Sequence, residues 1–416
     1  MATQTNGGSA SKVPDWLKAD LFEDVLKKTV NGYSKIKSFK ADSGTGVGEN
    51  YATIMLRVEI EVELEDGKTK SVSFMFKLPH QLERYKEMME KTNIFDIERA
   101  MYSDIVPELE QLYRDVGVDV KFGAHSYDIK APSDYVLLED LRPKGFKNAN
   151  RLEGLDVAHT ECVLRKLAQW HAASAVRVAT KGPYPEELTR GFFKEEHREM
   201  MADINKSMSG NFLKCCANYE NASEYLEQVR AIKDKVTDEM FKMAKTDTNE
   251  FNALNHGDCW SNNIMFQYDA FGKIKETYLV DYQIPKYGTV TQDLYYFLLS
   301  STKLEDKLSK FDYYIKFYHD NLIEHLKLLN YSKPLPKLRD LHLALLKYGT
   351  WGYCTVTGVM GAVLLDPTEA ASFENFLSES EEGNDFKLLM FSNARYRKHM
   401  QLILPWLLNR GALEAS

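Results

Sequence analysis

Residues Leu254 to Ser300 read LNHGDCWSNNIMFQYDAFGKIKETYLVDYQIPKYGTVTQDLYYFLLS. A polar turn at His256-Gly257-Asp258 continues through Cys259-Trp260-Ser261-Asn262 to Asn263. The apolar run Ile264-Met265-Phe266, a turn from Asp269 to Lys273, and a second run, Thr277-Tyr278-Leu279-Val280, then predict a β-hairpin that ends on Asp281. A loop of this length can turn the Asp258 carboxylate and the Asn263 amide into one pocket. An acid at the end of an apolar strand is costly to desolvate unless it is paired or binds a metal. Magnesium favours hard oxygen ligands alongside phosphate. The plain alternatives are an ordinary polar turn, because Asp, Ser, Asn and Gly crowd turns for conformational reasons, and a turn-initiating Asp281 before Gln283 and Pro285.

An Asp, an Asn five residues on, and a strand-end Asp form the layout of a phosphoryl-transfer loop. In protein kinases the first Asp accepts the substrate hydroxyl's proton, while the Asn and the second Asp hold the magnesium ions that bridge the nucleotide phosphates. On this reading Asp258, with His256 and Asn263, makes up the candidate catalytic set, and Asn263 and Asp281 are the candidate metal ligands. Asp293, ahead of Leu294-Tyr295-Tyr296-Phe297, reads as a helix cap. His171, on a helical face with Leu164, Leu167 and Ala168, reads as a core histidine.

Upstream, the period is two. Ile54, Leu56, Val58, Ile60, Val62 and Leu64 fall on one face and Arg57, Glu59, Glu61 and Glu63 on the other, which predicts a long half-exposed strand. Glu65-Asp66-Gly67-Lys68 predicts a hairpin turn, and Ser71 to Leu78 a second strand. On that strand Lys77 lies opposite the Val72, Phe74 and Phe76 face. A strand lysine can meet nucleotide phosphates if a helix acid holds it, and Glu98 is the natural partner. It lies on the apolar stripe Ile94, Met101, Tyr102, Ile105, Leu109 and Leu112, a helix that Pro107 should interrupt. The alternative is a gatekeeper charge with a surface acid. The stretch Ser43 to Tyr51, with Gly48 and Asn50, could drape N–H groups over phosphates. Its spacing is Gly-x-Gly-x-Gly, so a plain connection explains it equally well.

Trp16 to Val30 predicts a short helix, and Tyr135 to Leu138 a strand that ends in Glu139-Asp140-Leu141. Beyond it the pattern is mainly helical, at about 156–177, 184–206, 221–245, 293–304, 308–330, 336–364 and 386–413. No repeat of 20–50 residues is present.

The 416 residues are 44% hydrophobic and 27% charged, a globular composition. A net charge of −8 argues against a nucleic-acid partner. Five cysteines without paired spacing read as reduced thiols. The N-terminus shows no secretory signal, so the expected location is cytoplasmic. Tyr348 to Leu365 carries no charge, yet it barely reaches spanning length and reads as buried helix. No membrane span is expected.

Together, HGDCWSNN, YLVDYQ and Asp293-Leu294-Tyr295-Tyr296-Phe297 closely resemble the ecdysteroid kinase-like family, a relative of aminoglycoside phosphotransferases and choline kinases. The resemblance extends to Met75-Phe76-Lys77-Leu78-Pro79 as the lysine strand, Phe95 to Tyr102 as the acidic helix, and Val136 to Leu141 as the hinge. It implies an α+β, two-lobed, protein-kinase-like fold with a small β-rich N-lobe and a larger, mainly α-helical C-lobe. The expected division is a tail at 1–13, an N-lobe at 14–140 and a C-lobe at 141–416. The resemblance also implies that Asp258 is the base, Asn263 and Asp281 are Mg²⁺ ligands, and Lys77 with Glu98 positions the phosphates. Backbone groups of Glu139 and Leu141 would meet the adenine. Tyr282 stands where the family more often has Phe, a change expected to matter little. Gln283 replaces the protein-kinase glycine and no Ala-Pro-Glu segment follows, which favours a small-molecule acceptor.

The expected activity is ATP- and Mg²⁺-dependent phosphorylation of an alcohol on a small molecule, with an ecdysteroid the favoured acceptor and a hydroxylated xenobiotic the alternative. A silent hormone-binding protein on the same fold and a metal-dependent hydrolase are the rival classes. The presence of every expected catalytic residue argues against the former.

Overall fold

The structure, a computed structural model, describes residues 13–44, 53–80, 91–368 and 370–414. Gly48 and Asn50 lie outside them, as do residues 1–12 of the expected tail. The chain forms two compact units. One holds the described residues through Ser103, with Ala124–Lys144 and Pro367–Phe373. The other holds Asp104–Gly123, Gly145–Asp366 and the chain from Glu374. The chain is thus β-rich towards its N-terminus and helical towards its C-terminus, the class expected of a kinase-like fold.

The first unit is built on a five-stranded antiparallel sheet: β1 (Tyr33–Ser43), β2 (Ile54–Leu64), β3 (Thr69–Leu78), β4 (Ser126–Tyr127) and β5 (Val136–Glu139), in the order β1-β2-β3-β5-β4. Alternation along β2 buries Leu56, Val58, Ile60 and Val62 completely. They pack with Phe22, Val25 and Leu26 from the 3₁₀ turn Ala19–Phe22 and helix α1 (Glu23–Thr29). The turn into β3 contains Gly67 at φ +77, a conformation that glycine adopts without a Cβ penalty. Strand β1 went unpredicted. Register shifts between Tyr33 and Lys35 and between Ile36 and Ser38 break its alternation.

Helix α2 (Ile94–Ala100) carries Glu98. The interruption expected at Pro107 takes the form of a π-helical turn, Met101–Ile105, and helix α3 (Val106–Asp115) follows it. Proline cannot donate the backbone hydrogen bond that a continuous helix needs there.

In the second unit, helix α4 (Val157–Lys181) is N-capped by Asp156, whose carboxylate accepts from His159 N–H at 3.0 Å. Its buried face includes Leu164, Leu167, Ala168, Trp170 and His171. Beside it lie two small antiparallel sheets, β6 (Phe146–Lys147) with β8 (Ile264–Tyr268) and β9 (Ile274–Leu279), and β7 (Asn252–Asn255) with β10 (Lys286–Thr289). Helices α5 (Thr291–Ser301) and α6 (Phe311–Leu328) complete the surroundings of the site.

The helix expected over 336–364 is three helices, Leu338–Lys347, Thr350–Thr357 and Val359–Val363. Its glycines serve close packing. A Cβ on Gly349 would stand 2.9 Å from that of Ala412, and one on Gly352 would stand 3.1 Å from the Tyr295 ring. Among the described residues no helix is long and apolar enough to cross a membrane.

Candidate functional site

In the first unit, Lys77 projects from the face of β3 opposite Phe76 and is nevertheless only 2% exposed. Its Nζ stands 2.7 Å from Oε2 of Glu98, itself 1% exposed. A gatekeeper lysine belongs on an exposed edge, whereas β3 lies between β2 and β5. A desolvated ammonium of this kind is tolerated because a carboxylate accompanies it.

Strand β5 ends on Glu139, whose N–H donates to the His125 carbonyl at 2.8 Å. The buried Leu141 accepts from Lys144 N–H at 3.1 Å. Asp140, between them, turns inward. It accepts from Arg57 Nε and Ser73 Oγ at 2.9 Å each and from Arg142 N–H at 3.1 Å, tying the end of the strand back to β2 and β3. The sequence offered no cue to this brace, because Arg57 reads as one more charge on the exposed face.

In the second unit, the register of the hairpin sets the geometry. Ile264 pairs with Leu279, and Val280 N–H donates to the Asn263 carbonyl at 3.0 Å, so Asn263 and Asp281 emerge at the same end of β8 and β9. Asp281 holds φ +70, a left-handed conformation uncommon outside glycine that re-aims a side chain at a strand end. Asn263 closes the 3₁₀ turn Ser261–Asn263, and its amide N–H groups donate to Asp258 twice, to the carbonyl at 3.0 Å and to Oδ2 at 2.8 Å. The amide nitrogen is therefore directed at Asp258, and Oδ1 is the atom of Asn263 suited to a cation.

Buried donors and acceptors shape the loop leading to Asp258. Helix α4 fixes β7 through Trp170 Nε1–H to the Leu254 carbonyl and Leu254 N–H to Ser174 Oγ, both 2.6 Å. Asp293, fully buried on α5, accepts from the N–H groups of His256 at 2.7 Å and Gly257 at 2.9 Å. The expected cap is therefore corrected. Asp293 lies inside α5, after N-cap Val290, and its carboxylate serves the distant loop. Burial alone would push this acid up, but hydrogen bonds and charge from His171, with His256 and Gly257 N–H, hold it below the usual carboxylate range. His171 is the buried histidine expected, with Nε2 3.1 Å from Asp293 and Nδ1 2.7 Å from the Tyr318 hydroxyl on α6.

His256 is engaged by backbone on both sides. Nε2 donates to the Val280 carbonyl at 3.0 Å, and Nδ1 accepts from Asp258 N–H at 3.3 Å. Burial lowers its pKa and favours the neutral ring this pattern requires. Its geometry is that of a brace between the loop and the end of β9. Gly257, at φ +85, lies so close to the next segment that a Cβ would stand 2.0 Å from the Ile284 carbonyl oxygen. Tyr282 is fully buried, stacked on Trp170 at 5.1 Å, with its hydroxyl 3.3 Å from the Phe122 carbonyl.

Sequence reasoning missed Tyr296. From the middle of α5 its hydroxyl donates to Oδ1 of Asp258. Asn148 was missed as well. Its amide donates to the Asn262 carbonyl at 2.8 Å and the Ile264 carbonyl at 2.9 Å, holding Asn263 from both sides. Cys259, between these groups, is buried, and burial pushes its thiol far above the ordinary range, so it is no nucleophile. All five cysteines are free.

Among the described residues no cluster of three or more His, Cys, Asp and Glu side chains has the arrangement of a metal centre. One carboxylate and one amide oxygen at a hairpin end instead fit Mg²⁺, which takes few protein ligands and completes its shell with phosphate oxygens and water. No match to the chain was found among curated proteins. The sequence model of the ecdysteroid kinase-like family matches residues 47–331, a span that includes Lys77, Glu98, Asp258, Asp281 and Asp293.

Proposed function

The chain belongs to the ecdysteroid kinase-like family, and from that premise we propose that it transfers the γ-phosphoryl group of ATP to an alcohol on a small molecule, with an ecdysteroid as the favoured acceptor. Membership makes it a kinase-like small-molecule phosphotransferase. The ATP and Mg²⁺ requirement, the acceptor and the residue roles are our reading.

Asp258 accepts the proton of the acceptor hydroxyl as its oxygen bonds to phosphorus and the bond to ADP breaks. Asn263, through Oδ1, and Asp281 would hold Mg²⁺, which when bound neutralises charge on the phosphate oxygens. Lys77, kept in place by Glu98, meets the phosphates. The Glu139 carbonyl and Leu141 N–H would meet the nucleobase, a reading supported by the engagement of Glu139 N–H with the His125 carbonyl and of the Leu141 carbonyl with Lys144 N–H. His256 is assigned a bracing role. Phosphoryl transfer of this type rests on positioning and charge neutralisation, with no covalent enzyme intermediate. The partner is thus a small alcohol and not a nucleic acid. Five free thiols and a dependence on ATP suit the cytoplasm.

The observation that carries this reading is the hairpin register, which brings Asp281 beside an Asn263 already bonded to Asp258. The test is to incubate purified protein with ATP, Mg²⁺ and a panel of ecdysteroids and hydroxylated xenobiotics, detecting phosphorylated products by mass. The expected result is an acceptor-dependent phosphate ester, reduced about 10²–10⁴-fold in Asp258→Asn. Undiminished turnover in that variant would refute the base, and ADP release without any acceptor would favour a hydrolase.

A further inference from the structure

Helix α5 runs beside the loop and meets it at three of its own positions. Asp293 accepts from His256 and Gly257 N–H, Tyr296 donates to Asp258 Oδ1, and Ser301 Oγ accepts from Ser261 N–H at 3.0 Å. Positions 293 and 296 are i,i+3 neighbours on one face of the helix and 301 is its last residue, so α5 fixes successive points of the loop along its length. Asn263 supplies the complementary contact to Oδ2 of Asp258. We propose that Tyr296 is a positioning residue for phosphoryl transfer, its phenolic O–H setting the orientation in which the Asp258 carboxylate meets the acceptor hydroxyl. This rests on the reading of Asp258 as the base and adds a donor supplied from outside the loop.

An aspartate has a staggered χ1 and a broad, weakly restrained χ2. One hydrogen bond leaves the carboxylate free to rotate. Bonds to different oxygens from two separate elements fix both torsions. Such orientation matters because a general base must lie within hydrogen-bond reach of the proton it takes, and small misplacements reduce rate steeply. Hydrogen bonds to a carboxylate are also stronger than neutral ones. Burial, together with the charge and hydrogen bond of Asp258, pushes the phenol well above the ordinary tyrosine range. Tyr296 therefore keeps its proton and donates a hydrogen bond to the ionised Asp258 carboxylate.

The adjacent tyrosine supplies the contrast. Tyr295 is fully buried on α5, and its hydroxyl donates to the Leu345 carbonyl at 2.6 Å, away from the loop. Were Tyr296 only a core side chain, the two hydroxyls would be equally dispensable for catalysis.

The test compares Tyr296→Phe with Tyr295→Phe in the full chain, using ATP, Mg²⁺ and ecdysone, or the acceptor identified by the panel. Tyr296→Phe should lower kcat about 10- to 100-fold with KM for both substrates unchanged, and Tyr295→Phe should leave kcat as it was. In an Asp258→Asn background, Tyr296→Phe should cost nothing further. A second readout needs no activity. In protein labelled with ¹³Cζ-tyrosine, the Tyr296 resonance should move on Asp258→Asn while that of Tyr295 stays. An unchanged kcat in Tyr296→Phe, or a Tyr296 resonance indifferent to Asp258→Asn, overturns the proposal. A resonance that moves in a protein phosphorylating no acceptor upholds the Tyr296 contact and removes the kinase reading.

Discussion

The two units hold their charged groups in opposite ways. In the first, Lys77 and Glu98 stand 2.7 Å apart at 2% and 1% exposure, joining β3 to α2 by a desolvated ion pair. In the second, the loop from His256 to Asn263 is held by separate bonds from Asp293, Tyr296, Ser301, Asn148 and the backbone of Val280. Taking a charge out of water costs several kcal/mol, repaid only while the partner is present. A single hydrogen bond contributes less, about 1 kcal/mol between neutral groups and about 1.5–3 kcal/mol to a carboxylate. The pair should fail abruptly, the loop by degrees.

The largest expected effect is therefore on the pair. Glu98→Leu removes the carboxylate paired with the buried Lys77 ammonium and should lower the unfolding free energy by about 3–5 kcal/mol in urea. Lys77→Met added to it should restore most of that stability without restoring ATP binding. A single variant as stable as the double would show that the pair is not where the energy is concentrated.

The loop should give way more gently. Gly257→Ala imposes a side chain at φ +85 and a collision with the Ile284 carbonyl, with an expected cost of about 1–3 kcal/mol at the urea midpoint. Wild-type stability in that variant would mean that the loop does not sit against Ile284. The smallest effect is predicted for Tyr282→Phe. The Phe122 carbonyl met by its hydroxyl also accepts from Leu279 N–H at 2.8 Å, and the stack on Trp170 survives the change. The expected loss is below about 1 kcal/mol. A loss of twice that would give the hydroxyl a role that the family's usual Phe does not supply.

Much of this contrast was legible in the sequence, for reasons particular to each element. Alternation announced β2 because one of its faces is wholly buried, and the same rule failed for β1, where bulges place Ile36 and Phe39 three residues apart. Lys77 and Glu98 could be paired because Lys77 interrupts the apolar run Phe74 to Leu78 and Glu98 falls on an apolar helical stripe. For Asp293 the residue type was informative but the partner was not. A cap is a local interaction, whereas Gly257 lies 36 positions away in sequence. Tyr296 left no trace, since a tyrosine on an apolar helix reads as core until the destination of its hydroxyl is known. His256 reads as chemical because of its neighbours, and of its two backbone bonds the one to the Val280 carbonyl is brought into reach only by the folded hairpin.

The dependence on Asp293 reaches beyond the mature protein. A chain ended before Thr291 would contain HGDCWSNN and YLVDYQ complete, yet would lack the carboxylate that gathers the N–H groups of His256 and Gly257. During synthesis the loop leaves the ribosome before the helix that shapes it, so its competent form arises only once α5 has docked. Fragments that carry the signature alone would be recognisable by sequence and inert in the test tube.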